Sequence, residues 1–198
     1  MLEKNMKNGI EELAYNWITA NAKNVDASDY YCQTRDNFDV KLRAMINLFK
    51  KHINENNAYI ISAIAGEIGN NSFDHNIGNW RDVMGVFFAA EISDKEIKIC
   101  LADRGQGVFK TLKKVKPELK NDVEALKTAF TEKISGRAPE NRGNGLKFVK
   151  ENIKNKKMKL TFISGSAQAE LNNEMEITKI NKNIKGCLAI IKYKQYAN

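Results

Sequence analysis

Three short strings of polar residues and glycines lie on or beside predicted secondary-structure elements of this chain. The first lies on a predicted helix, the second follows the second strand of a predicted hairpin, and the third precedes another helix. Their order and spacing constrain the fold more strongly than a single glycine motif would. The strings are Glu67-Ile-Gly-Asn70-Asn71-Ser-Phe-Asp74-His75, Asp103-Arg-Gly105-Gln-Gly107 and Arg142-Gly143-Asn144-Gly145-Leu146.

The periodicity of apolar residues predicts the elements around these strings. The first helix has an apolar stripe that needs a partner, either the rest of the chain or a second subunit. The third helix contains Gly66 and Gly69, which indicates that another group approaches it closely. Helices are predicted over residues 5–22, 38–53, 57–77 and 143–155, a hairpin over 84–92 and 96–102, and further strands over 158–164, 167–171 and 187–193.

Residues 108–142 differ from the rest of the chain because they are rich in lysine and contain both prolines, Pro117 and Pro139. Only Val123, Leu126 and Phe130 follow a helical period there. We interpret this segment as a mobile lid over a ligand.

Composition limits the domain organisation and the compartment. A chain of 198 residues with 42% hydrophobic content can bury one sizeable core, so we expect a helical extension over residues 1–36 and one domain over residues 37–198. The three cysteines include no Cys-x-x-Cys pair, which favours reduced thiols over disulfides or a zinc site. The sequence shows neither a membrane-spanning apolar run nor a signal peptide, and we expect a cytoplasmic protein with no membrane partner.

The net charge of +8 raises the question of a nucleic-acid partner. The basic residues are dense only over Lys110–Lys120 and Lys147–Lys159, and acidic residues interrupt both segments. No aromatic string of the kind that stacks on bases accompanies them. We therefore expect a solvated, lysine-rich surface and no nucleic-acid partner.

Together the three strings resemble the N, G1 and G2 boxes of the gyrase and histidine-kinase ATPase superfamily (GHKL), over roughly residues 38 to 195. Glu67, Asn71 and His75 most resemble the pattern of small anti-sigma-factor serine kinases. The resemblance implies the Bergerat fold for the domain at 37–198. This is an α/β (α+β) two-layer sandwich, whose mixed, mostly antiparallel sheet is covered on one face by helices. It also implies ATP and Mg²⁺ as cofactors.

A helix turns 100° per residue, so positions 67, 71 and 75 lie within about 80° of one another on one face. By resemblance, Asn71 is the Mg²⁺ ligand and Glu67 orients or deprotonates the attacking nucleophile. Asn70, Asp74 and His75 would also contact ATP. Taken alone, this string is more typical of a polar outer helix face.

In the second string, the Asp103 carboxylate is an acceptor for the exocyclic amine of adenine, where guanine presents a carbonyl. Gly105 and Gly107 lack a Cβ and allow a base and phosphates to approach the backbone. The resemblance usually includes a Gly-Thr pair on the closing strand. Here that pair is Gly186-Cys187, and a thiol is a weaker hydrogen-bonding group.

The third string places small residues before a helix, where free N–H groups and the helix dipole attract anions. The resemblance implies that Gly143, Asn144, Gly145 and Leu146 hold the polyphosphate. Which of Lys133, Arg137 and Arg142 contacts the γ-phosphate is left open.

Three functions fit these features. The first is a Mg-ATP-dependent kinase that transfers the γ-phosphoryl group to a hydroxyl of a partner protein. The second is a slow ATPase whose lid or homodimer acts as a nucleotide-gated switch. The third is a non-catalytic ATP-binding module.

Overall fold

The computed structural model describes residues 9–22, 29–134, 145–156 and 158–194 of the chain. Within these ranges the protein consists of helices packed on an antiparallel sheet, which confirms the predicted α+β sandwich. The helices are α1 (Ile10–Thr19), α2 (Arg35–Phe49), α3 (Glu55–Asn76), α4 (Gly107–Lys113), α5 (Asp122–Thr131) and α6 (Gly145–Asn155). The strands are β1 (Tyr31–Cys32), β2 (Val86–Ile92), β3 (Glu96–Asp103), β4 (Met158–Leu171) and β5 (Met175–Lys194).

The sheet has the strand order β1-β2-β3-β5-β4, and every pairing among the described residues is antiparallel. The predicted hairpin is β2 and β3, closed by a turn in which Ser93 N–H donates to the Glu96 carbonyl (2.9 Å). β3 lies at the centre of the sheet. Its last residue, Asp103, therefore has a strand on each side, and Cys187 of β5 is its partner in register.

The main core lies between one face of the sheet and helices α2, α3, α5 and α6. These helices contribute apolar stripes at helical spacing, and the sheet contributes alternate residues of each strand. Fully buried members include Phe38, Phe49, Ile61, Phe130 and Ile153. Burying this apolar surface is the main favourable contribution to folding.

Helix α1 covers part of the opposite face of the sheet. Its buried residues Ile10, Ala14, Trp17 and Ile18 pack with a second apolar cluster on β2, β3 and β5. The predicted stripe thus finds its partner within the same chain. β1 also lies before residue 37, because Tyr31 pairs with Phe87, so the sheet begins inside the predicted extension.

Part of the predicted lid belongs to the core. Helix α5 lies within residues 108–142, and its Leu126 and Phe130 are fully buried. Phe130 packs edge-on against Phe162 of β4, with ring centroids 5.6 Å apart. Residues 122–131 therefore pack on the sheet in this structure, and residues 135–144 of the predicted lid lie outside the described part of the chain.

The hairpin of β4 and β5 is longer than the sequence predicts. The two predicted strands around residues 158–171 form one strand with register shifts near Gly165, which has a φ of +61°. β5 begins at Met175 rather than near 187. Its first half is mostly exposed, so it lacks the apolar run by which a buried strand is predicted.

Two further observations concern the expected compartment. Cys32, Cys100 and Cys187 are all free, and the first two are buried. None of the helices in the described ranges is long and apolar enough to cross a membrane.

Candidate functional site

Helix α3 carries the first string, and local sequence sets both of its ends. The Asn54 side chain accepts a hydrogen bond from Asn56 N–H (2.9 Å), which satisfies a free donor of the first turn. Gly78 follows the last turn with a φ of +71°, a conformation that glycine adopts without strain. The helix therefore runs through the whole of the first string.

The two glycines inside α3 allow α2 to pack closely against it. The Phe38 ring of α2 occupies the place that a Cβ at Gly69 would take, and Leu42 Cδ2 lies 3.2 Å from a Cβ built at Gly66. The close approach that the sequence indicates is thus made by α2. It is not a feature of the ligand site.

Asp103 is the buried centre of the second string, with 2% of its surface exposed. Its Oδ2 accepts a hydrogen bond from the Ser72 hydroxyl (2.9 Å). Its Oδ1 accepts from the Asn76 amide (3.2 Å) and from Gly105 N–H (2.8 Å). Cys187, its partner in register on β5, lies beside it. A carboxylate has about four lone-pair positions, so donors of the protein already occupy most of the acceptor positions of Asp103.

Burial governs the protonation of the Asp103 carboxyl group and of the neighbouring Cys187 thiol. It raises the pKa of Asp103, although the hydrogen bonds from Gly105, Ser72 and Asn76 oppose the rise. Burial and the nearby carboxylate also raise the pKa of the Cys187 thiol well above its ordinary value. Cys187 is therefore a neutral hydrogen-bonding group and not a nucleophile.

A hydroxyl is nevertheless present beside the cysteine. Ser164 of β4 accepts a hydrogen bond from Val108 N–H (3.0 Å) and donates to the Gly186 carbonyl (3.1 Å). Its Oγ is 3.6 Å from Cys187 Sγ. Ser164 thus lies close to the position at which the resemblance implies a threonine hydroxyl.

Asn76, the last residue of α3, connects the helix to the turn after β3. Its Nδ2 donates to Asp103, and its Oδ1 accepts from Gln106 N–H (3.0 Å). Gly105 is necessary at this point, since a Cβ there would overlap the Asn76 side chain. The Gln106 side chain also donates to the carbonyl of His75 (2.8 Å). The second string is therefore held directly against the first.

The third string meets the first at the start of α6. A Cβ at Gly145 would lie 2.6 Å from Glu67 Oε2 and 3.5 Å from Asn71 Nδ2. Val149 and Ile153, on the buried side of α6, fix the helix against the core. Gly145, the first residue of α6, is thus beside the polar face of α3.

The remaining predicted site residues lie in different surroundings. Glu67 is exposed, whereas Asn70, Asn71, Asp74 and His75 are half-buried. Asp74 makes an ion pair with Arg35 of α2. Lys133 is exposed just after α5, and Leu146 packs on the main core. Arg137, Arg142, Gly143 and Asn144 lie outside the described residues.

A cavity of about 590 Å³ borders the turn after β3. Gly105 and Gly107 line it, together with Trp80, Lys110 and Lys185. This volume is within the range of ligand pockets. However, its lining includes none of Glu67, Asn71, Asp103 and Gly145, so the cavity and the polar face of α3 are separate features.

Sequence reasoning did not identify Ser72 and Asn76. The signal was present, because Ile61, Ala65 and Ile68 form a buried stripe at heptad-like spacing that these two polar residues continue. A polar residue in a buried stripe requires a hydrogen-bonding partner. That partner, Asp103, is distant in the sequence.

The described ranges contain no group of three or more His, Cys, Asp or Glu side chains that could hold a metal ion. A scan against protein-family models and a search of curated proteins find no match to this chain. A functional assignment therefore depends on the geometry of the chain's own residues.

Proposed function

We propose that the protein binds Mg-ATP along α3 and transfers the γ-phosphoryl group to a hydroxyl of a partner protein. One observation carries the proposal: three strings that are distant in the sequence converge on this helix. Asp103 accepts hydrogen bonds from Ser72 and Asn76, and Gly145 lies against Glu67 and Asn71.

The adenine end of the ligand is assigned to Asp103. A purine amine that donates to this carboxylate takes the place of Asn76, whose hydrogen bond is the longest of the measured three at 3.2 Å. Guanine offers an acceptor at the same position and would leave a buried acceptor unpaired. That costs about 1–3 kcal/mol, which favours ATP over GTP.

The phosphate end is assigned to the N-terminus of α6. Its N–H groups attract anions, and Glu67 and Asn71 border it from α3. The Asn71 side chain fits a Mg²⁺ site because this ion prefers oxygen ligands and often keeps its waters and the phosphate oxygens of its substrate. Bound Mg²⁺ would neutralise charge on the phosphates.

Glu67 is assigned as the general base of the transfer. In the proposed step the partner's hydroxyl oxygen attacks the γ-phosphorus, Glu67 accepts the hydroxyl proton, and ADP leaves with the electrons of the broken P–O bond. Exposure of Glu67 to solvent is consistent with a macromolecular acceptor, since the hydroxyl must reach it from outside.

Calorimetric titration with ATP, ADP and GTP, each with and without Mg²⁺, tests the binding. We expect ATP to bind, GTP to bind at least about fivefold more weakly, and Mg²⁺ to strengthen ATP binding. Asn71→Ala should remove most of the Mg²⁺ effect. Equal affinities for ATP and GTP would contradict the role of Asp103, and no binding of either would refute the proposed function.

The catalytic assignment is tested with Glu67→Gln and the exposed control Glu118→Gln. The first variant should retain ATP binding and lose γ-phosphoryl transfer to candidate partner proteins, whereas the control should keep both. Transfer at the wild-type rate by Glu67→Gln would show that another group acts as the base.

A nucleotide-gated switch is the second candidate, and one observation favours it. Arg104, which lies within the turn assigned to adenine, binds the carbonyls at the end of α1. Phosphate release without transfer would support the switch or a homodimer gated by ATP. ATP binding without either reaction would indicate a binding module.

We also propose a cytoplasmic location. Its support is the set of three free thiols, two of them buried, which fits a reducing compartment.

A further inference from the structure

Arg104 is a fully buried cation between Asp103 and Gly105. Asp103, the last residue of β3, bonds to α3, whereas the next residue, Arg104, bonds to α1. Its Nη1 donates to the carbonyls of Trp17 (2.6 Å) and Ile18 (3.0 Å), and its Nη2 donates to that of Ala20 (2.6 Å). The last carbonyls of a helix have no partner within it, and here Arg104 supplies one.

Two neighbours fix this arginine. Asp82 accepts from its Nε (2.8 Å) and its Nη2 (2.6 Å) as a bidentate ion pair. The guanidinium also lies over the Trp17 ring, 5.8 Å from the centroid. Arg81 adds a parallel connection, because its N–H donates to the Arg104 carbonyl (3.0 Å) and its Nη2 to Ile18 (3.3 Å). The end of α1 is therefore attached to the turn after β3.

The same turn is attached to α3 through Asn76, which binds both Asp103 and Gln106. Asp103 is buried and already accepts three hydrogen bonds, so a nucleotide amine competes with Asn76 for it. A nucleotide that takes the place of Asn76 at Asp103 also disturbs the hydrogen bond that holds Gln106 N–H. Loss of these contacts weakens the attachment of the turn to α3, and the five hydrogen bonds of the buried Arg104 side chain depend on the present position of the turn.

We propose that α1 is an autoinhibitory element: its attachment through Arg104 and the binding of ATP at Asp103 oppose each other. This inference rests on the proposed function. Coupling between two sites is reciprocal, so ATP loosens α1 and release of α1 strengthens ATP binding by the same factor. The surface that α1 would uncover is the apolar face of β2, β3 and β5 around Phe87 and Leu188.

Hydrogen exchange on the wild-type chain tests the first half of the coupling. Amides of α1 should exchange about fivefold faster or more in saturating Mg-ATP than without it. Calorimetry on the same sample reports binding separately. Bound ATP with unchanged or slower exchange in α1 would overturn the coupling alone, and absence of binding would overturn the proposed function together with it.

Ala14→Asp tests the other half, since it places a carboxylate in the apolar cluster under α1 without touching Arg104. It should bind ATP about fivefold more tightly or better. Asn16→Asp, on the exposed side of α1, introduces the same charge and should bind ATP as the wild type does. Equal affinities in the two variants would overturn the proposal. If circular dichroism shows that Ala14→Asp does not fold, hydrogen exchange on the wild type decides.

Discussion

Asp103 combines almost complete burial with hydrogen bonds from three donors. An isolated charge at such a position would be very costly, and the donors offset much of that cost. The residue therefore has a structural role whatever it binds. It joins the central strand to α3, and it is also the acceptor assigned to adenine.

Asp103→Asn separates these roles in part. The NH₂ group of the new amide would face another donor, either one of α3 or the Gly105 N–H. We therefore expect a loss of about 1–3 kcal/mol in the free energy of unfolding. ATP should bind at least about tenfold more weakly. Urea denaturation and calorimetry measure the two effects, with Asp94→Asn in the exposed β2–β3 turn as the control. A stable variant with unchanged ATP affinity would contradict both roles.

Asp82 gives the protein a specific response to acid. The Arg104 guanidinium lowers the pKa of Asp82 to about 2 in the folded state, and the value in the unfolded chain is about 3.9. A depressed folded pKa gives stability that is present above the unfolded value and is lost as pH falls toward the folded one. The loss should therefore occur between about pH 4 and pH 2.

The measurement is urea denaturation at pH 5 and at pH 2.5. Asp82→Asn should be less stable than the wild type at pH 5 and should lose less stability on acidification, because it has no carboxylate to protonate. Equal losses in the two proteins would show that the ion pair with Arg104 does not stabilise the fold.

At the scale of elements, α5 shows where a composition argument failed. Its sequence neighbourhood is rich in lysine and proline, which favours an exposed segment, yet Val123, Leu126 and Phe130 already carried a helical period. The structure buries two of these residues completely. The helix packs on the core despite the charged residues around it. The free energy of burial depends on the apolar residues of the face that packs, not on the average composition of the segment.

Phe130→Ala tests whether α5 belongs to the core. Removal of a fully buried phenylalanine should cost about 3–5 kcal/mol of unfolding free energy. Lys127→Ala, on the exposed side of the same helix, should change it by less than about 0.5 kcal/mol. A small effect of Phe130→Ala would mean that α5 detaches from the sheet, as a lid does.

The elements that the sequence predicts best are those with long apolar periods, namely α1, α2, α3 and the β2–β3 hairpin. β5 was predicted too short because its first half is mostly exposed and pairs only along β4. Contacts between site residues that are distant in the sequence were harder to predict than the strands. Periodicity marks Ser72 and Asn76 as buried but does not identify Asp103 as their partner, which only the tertiary fold brings near.

At the scale of the molecule, the protein is a sheet with a different partner on each face. Helices α2, α3, α5 and α6 cover one face, and α1 covers part of the other. Asp103 and Arg104 are adjacent in sequence and connect to opposite layers. This arrangement places the proposed adenine contact and the hydrogen bonds to α1 in one turn, and it is the basis of the proposed regulatory role.

A crystal structure with Mg²⁺ and a nonhydrolysable ATP analogue tests the central claim most directly. The account predicts the purine amine at Asp103 with the Asn76 amide displaced, the metal at Asn71, and the phosphates at the start of α6 beside Gly145. Density for the nucleotide only in the cavity lined by Lys110 and Lys185, or an unchanged Asn76–Asp103 contact with no ligand bound along α3, would contradict it.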